Sequence, residues 1–160
     1  MAILTVVGVD PGLVNTGMVA LRFSRRNRSM LIEEEALIGI DLNGALQFTT
    51  NCHANHIFIE AYRPRSHFDT DAKMGEGVNE LRRRLKGSVT LSNTGVKQVV
   101  RQPLMELLHC WNFSTRTNHQ DLRSAARIAI LGMLKDPELN ELLALIVHDH
   151  LKGKPWDIIN

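Results

Sequence analysis

Ile3–Val9 is an almost unbroken apolar run, the pattern of a strand covered on both faces. After a turn at Pro11–Thr16, apolar and polar residues alternate over Gly17–Phe23, and a second turn at Ser24–Ser29 leads to a third strand over Met30–Ile40. Three consecutive strands joined by short turns predict an antiparallel meander. Asp41-Leu-Asn-Gly then opens a short, weakly helical segment to about Asn55, and His56–Glu60 (HIFIE) is another short apolar run. Helical periodicity follows over Ala72–Lys86, Val89–Leu91 is a minimal strand, and Val96–Cys110 is helical with Pro103 inside or interrupting it. Asn118–Leu134 and Pro137–Lys152 close the chain as two helices, the second with Pro in its first turn. No internal repeat or low-complexity linker interrupts the pattern, so positions 1–160 read as one α/β domain.

Two of the apolar runs end in an acid. Asp10 closes the first strand and is followed at once by Pro11-Gly12, and Glu60 closes HIFIE. Asp is a poor strand residue and Pro-Gly a strand terminator, so both carboxylates belong at strand ends, where α/β folds place their chemistry. A third acid opens a helix. In TNHQDLRSAARIAILGM, Thr117 and Gln120 have the spacing of a capping box, which puts Asp121 in the first turn, where a carboxylate also suits the helix dipole. At 100° per residue, Ala125, Ile128 and Gly132 lie on one stripe with Asp121, while Arg123 and Arg127 point away from it. Small residues on that stripe allow the helix to approach a sheet closely. Asp121 then either joins the strand-end acids or merely stabilises the helix terminus.

Charge changes this picture in its distribution more than in its sum. The net charge is only +2, but arginine is the dominant base and clusters as Arg22/Arg25/Arg26/Arg28, Arg63/Arg65 and Arg82/Arg83/Arg84/Lys86. Such clusters are either solvated faces or contacts for a polyanion, to which the guanidinium fork is suited. Cys52 and Cys110 lack metal-site spacing and are too few for a disulfide framework, which points to a reduced, cytoplasmic setting. No stretch approaches the ~20 apolar residues of a membrane span, and the N-terminal apolar run lacks the basic flank of a signal peptide.

Asp10, Glu60 and Asp121 together make a set of three hard oxygen ligands with no obvious basic partner. Such a set is costly unless protonated or occupied by cations, and it suits Mg²⁺, or Mn²⁺ as a substitute. Two ions per site would activate a water and steady the leaving oxygen of a phosphodiester. With arginines to meet phosphates, the residues point to metal-dependent phosphodiester hydrolysis.

GVDPG followed by NTG, then IFIEAYRPR, then HQDLRSAARIAI, in that order over almost the whole chain, resemble the RuvC-type Holliday junction resolvases of the ribonuclease H-like superfamily, and specifically their phage-encoded relatives. The resemblance implies a mixed five-stranded sheet, antiparallel meander plus parallel strands, flanked by helices. It also implies a homodimer with two active sites that nicks symmetric strands of four-way junctions or other branched DNA, flaps among them. Carried over by motif, Asp10 resembles the first-strand acid, Glu60 the fourth-strand acid and Asp121 an acid of the final catalytic helix. One position departs: bacterial members carry a second Asp one turn after the Asp121 position, where this chain has Ser124. Water, His119 or a loosely held second ion would have to make up for it, His119 being otherwise a surface residue at a helix start.

Further DNA contacts are expected from Tyr62, as a platform for an unpaired base or as a packed loop aromatic, and from Arg63 and Arg65, which flank Pro64 beside the acids. Lys97, at a helix start after SNTG, is either a partner for the scissile phosphate or a solvated first-turn lysine. Two other functions fit parts of the pattern. Ser124 is compatible with a non-catalytic branched-DNA binding protein, and a first strand ending in an acid and a glycine turn also occurs in actin-like and sugar-kinase phosphotransferases, which need two such domains.

Overall fold

In the computed structural model the described residues are 3–63, 69–113 and 119–160. The predicted meander is present: β1 (Leu4–Asp10), β2 (Asn15–Ser24) and β3 (Ser29–Ile38) pair antiparallel, with Asp10 opposite Gly17 and Asn15 opposite Ile38. Helix α1 (Leu42–Asn51) is capped by Asp41, whose side chain accepts from the Gly44 amide. The chain then enters β4 (His56–Glu60), which lies parallel to β1 with Val9 opposite Ile59. Helix α2 (Asp69–Arg84) leads to β5 (Val89–Leu91), parallel to β4. The sheet order is β5-β4-β1-β2-β3-β6.

Five of these strands are those expected. The sixth, β6 (Asp157–Ile159), adds a parallel edge to β3. Three residues after a Lys-Gly-Lys-Pro-Trp stretch carry no strand periodicity, so the pairing arises from tertiary anchorage. Trp156 is buried and its indole N–H donates to the buried carboxylate of Asp149 at 3.0 Å, with Arg28 at 3.6 Å from the same oxygen.

The segment expected to be helical over Val96–Cys110 is broken in two: α3 (Val96–Val99) and α4 (Gln102–Leu107). Pro103 sits in the first turn of α4, where its missing N–H costs nothing, and Arg101 before it is extended. Helix α5 (His119–Lys135) and helix α6 (Pro137–Leu151) follow. The proposed capping residue Thr117, like Arg65, lies outside the described residues. Strand alternation sends Val7, Val9, Met18 and Ile59 to one face, against α1 and α2, and Val6, Val19, Leu21 and Phe58 to the other, against α5 and α6. No described helix is long and apolar enough to cross a membrane.

Candidate active site

Asp10 and Glu60 end neighbouring parallel strands, one residue past the Val9–Ile59 pair. Each lies two residues beyond a position that faces α5, Gly8 in β1 and Phe58 in β4, so both carboxyls project to the α5 side of the sheet. The turn after Asp10 is held by the NTG segment. The Thr16 hydroxyl donates to the Gly39 carbonyl at 2.7 Å and accepts from the Gly12 amide at 3.3 Å, which fixes the backbone beneath the acid.

Helix α5 approaches this sheet to backbone contact, as its small stripe predicts. A Cβ on Gly8 would overlap the carbonyl oxygen of Ala125 and stand 2.8 Å from the Ala129 nitrogen, and one on Gly17 would stand 2.5 Å from the Asp121 carbonyl oxygen. Further down, the ring of Phe58 occupies the space that a side chain at Gly132 would need. Asp121 is thereby seated over Gly17, the residue paired with Asp10. Ala125 and Ile128 are buried beneath it.

The electrostatics follow from this placement. Burial, a hydrogen bond with Glu60, and the charges of Glu60 and Asp121 together push the Asp10 carboxyl up to about 9. Asp121 is also raised, by burial. Asp10 therefore keeps its proton at neutral pH in the metal-free protein, because a further negative charge beside Glu60 in a partly dry site is costly. Two hard oxygen donors held against their own repulsion are a donor set suited to a hard divalent cation. Among the described residues, no three of the His, Cys, Asp and Glu side chains stand close enough to form a ready metal cage. Asp121 thus flanks the pair and interacts with Asp10 through charge.

On the Glu60 side a groove is lined by Asn93, Lys97, Ser124 and Arg127, and on the other side a second groove is lined by Pro11, Tyr62, Arg63 and Asn93. Ser124 and Lys97 are therefore beside the acids, Lys97 exposed on α3. Tyr62 packs in part against the core on the α2 side, and Arg63 is exposed. His119 is engaged structurally, its Nδ1 accepting from the Phe113 amide at 3.3 Å. Arg127 lies off the Asp121 stripe, as the helix period requires, and that flank of α5 lines the Glu60 groove.

The arginine clusters are also redistributed. Ser24 lies seven residues along β2 from Gly17, the partner of Asp10, or roughly 23 Å of strand. The Arg25/Arg26/Arg28 turn is consequently at the opposite end of the sheet from the acids. Arg83, Arg84 and Lys86 are at that far end too, beside His53 and Ala54. Position along a strand decides this, and charge pattern does not report it. The two cysteines are buried, and burial raises their thiols to about 11 for Cys52 and about 12 for Cys110, so neither is an activated nucleophile.

A six-stranded mixed sheet with helices on both faces and acids at the ends of β1 and β4 is the ribonuclease H-like fold. Among solved structures, the chain is similar to Thermus thermophilus RuvC, with a TM-score of 0.60 at 13% identity over 96% of this chain and 99% of that one. It is likewise similar to T. thermophilus RuvC in complex with a Holliday junction substrate (TM-score 0.59, 15% identity, 79% and 90% covered). The yeast mitochondrial Holliday junction resolvase Ydc2 gives a TM-score of 0.53 at 16% identity, over 87% and 81% of the two chains. No protein-family model matches the chain, and no curated protein matches it in sequence.

Proposed function

We propose that the protein is a structure-selective DNA endonuclease that cuts four-way junctions and related branched DNA by divalent-metal-dependent hydrolysis, working as a homodimer in the cytoplasm. The observation that carries this reading is the Asp10–Glu60 pair, two hydrogen-bonded carboxyls at adjacent strand ends with Asp121 flanking them. The likeness in fold to resolvases, one of them solved with a Holliday junction, supports the choice of substrate.

In this reading Asp10 and Glu60 hold the cation and Asp121 adds negative charge beside Asp10. A second ion would draw on Glu60 and, through water, on Ser124. Bound there, Mg²⁺ supplies an activated water and neutralises charge on the phosphodiester. The chain's own contribution is to fix the carboxyls. The β1–β4 register sets the separation of the pair, and the backbone seating of α5 holds Asp121 against them. Tyr62, Arg63 and Lys97 stand on either side of the acids, where they can meet bases and phosphates, and Arg65 is assigned the same role by the motif alone.

Cleavage of a synthetic four-way junction with Mg²⁺, comparing the wild type with Asp10→Asn, tests the proposal. Nicking by the wild type and none by the variant, with junction binding retained by both, is the expected result. Ser124 in place of an acid, together with the lack of a third ligand beside the pair among the described residues, favours a second reading, a branched-DNA binding protein without catalysis. Junction binding by the wild type with no nicking in any divalent metal would establish that reading instead.

A further inference from the structure

The groove beside Glu60 is about 470 Å³ in volume, and its charged lining is one carboxylate against two cations, Lys97 and Arg127. Arg127 is the better fixed of the two. Its Nε donates to the carbonyl of Val100 at 3.3 Å, and its guanidinium lies 5.6 Å from the ring centre of Trp111. Arg123, one turn earlier, lies 4.0 Å over the same indole, with its Nε on the Trp111 carbonyl at 2.6 Å. Two guanidiniums are thus gathered on one aromatic ring, and among the described residues neither forms an ion pair with a carboxylate. Half-burial and the neighbouring Arg123 both disfavour the charge on Arg127. A fixed, crowded cation facing a groove gains most from an anion that enters from outside.

We propose that Arg127 is a phosphate-positioning residue, which holds a backbone phosphate of the bound nucleic acid in the groove between Glu60 and Lys97. The assignment rests on the nuclease reading above and adds to it a role for a residue that the motif HQDLRSAARIAI contains without assigning it one. With Nε committed to Val100, the terminal nitrogens are the part of the side chain left to meet a phosphate. The competing role is structural, a pin that ties α5 to the end of α3 through the Val100 carbonyl.

Arg127→Gln separates the two, because the glutamine amide nitrogen occupies the place of Nε and can still donate to Val100, whereas the charge is gone. The experiment measures binding of a synthetic four-way DNA junction to the full chain in EDTA over a series of salt concentrations, for the wild type, Arg127→Gln and Arg127→Ala, with thermal melting of each. The expected result for Arg127→Gln is wild-type melting, affinity lower by about tenfold or more, and a salt slope shallower by about one ion. Wild-type affinity and slope in Arg127→Gln would overturn the proposal. So would a loss of affinity confined to Arg127→Ala and accompanied by a lower melting temperature, since that is the signature of the pin. Absence of junction binding by the wild type itself would remove the nuclease reading, and this assignment with it, and is visible in a separate arm.

Discussion

Replacing Asp10 by Asn should make the metal-free protein more stable at neutral pH. The carboxyl is raised from 3.8 to about 9 by burial, by its hydrogen bond with Glu60 and by the charges of Glu60 and Asp121. A group raised in the folded state contributes its full stability below the unfolded value and loses it as pH climbs toward the folded one. Each unit of difference is worth ~1.36 kcal/mol, so between pH 4 and pH 7 the metal-free fold forfeits roughly 4 kcal/mol at this site. The carboxyl is not sealed from solvent, so about half of this, ~2 kcal/mol, is recoverable by a neutral amide of the same shape that can still donate to Glu60. For a chain of this length that is a rise of about 4–8 °C in Tm. Thermal unfolding in EDTA between about pH 5 and pH 8 measures it. The gain should grow with pH across that window. Added Mg²⁺ should close the gap by raising the wild type alone, through binding to the folded state. A variant less stable than the wild type at pH 7, or a gain independent of pH, would refute the account of an Asp10 carboxyl raised by burial and by its acidic neighbours.

Three other outcomes are expected. Glu60→Gln should abolish metal-dependent nicking of a four-way junction while gel-shift affinity is kept or improved, because a ligand is lost and repulsion of phosphate falls; weaker binding would indicate a structural role. Gly8→Ala should lower stability by about 1–3 kcal/mol and reduce nicking, since its methyl group would displace α5 at Ala125; an unchanged melting curve would show that the helix is not seated on β1 as described. Ser124→Asp should lower the Mg²⁺ concentration for half-maximal nicking while Ser124→Ala changes the rate little, and an Ala variant as inactive as Asp10→Asn would mean that the hydroxyl itself takes part.

The strand-end acids were legible in sequence because each closes an apolar run, and parallel in-register pairing of β1 with β4 then brings such ends together. The close approach of α5 was legible from Ala125 and Gly132, although its partners on the sheet, Gly8 and Gly17, are identified only by the register of β1 and β2. β6 was not legible, since its pairing depends on Trp156 and Asp149 meeting across the fold. Nor was the place of Arg127 beside the Glu60 groove. Helical period locates a side chain on its own helix, and which neighbour occupies that flank is decided by the path of α3, a segment broken by Pro103. The place of the charge clusters was not legible for a related reason, because Arg25 and Arg83 carry no mark of the sheet end to which their turns belong.

The seating of α5 on bare glycine backbone also bears on how such a chain changes over generations. Where a helix rests on side chains, every exchange of a core residue shifts it and whatever it carries. Here the spacing between Asp121 and the strand-end acids is set by main-chain atoms at Gly8 and Gly17, which are the same in every sequence. Residues elsewhere on the helices can turn over freely without moving the carboxyls, so the geometry survives long after the surrounding sequence has been replaced. The inherited quantity is then less a set of side chains than a pair of missing ones.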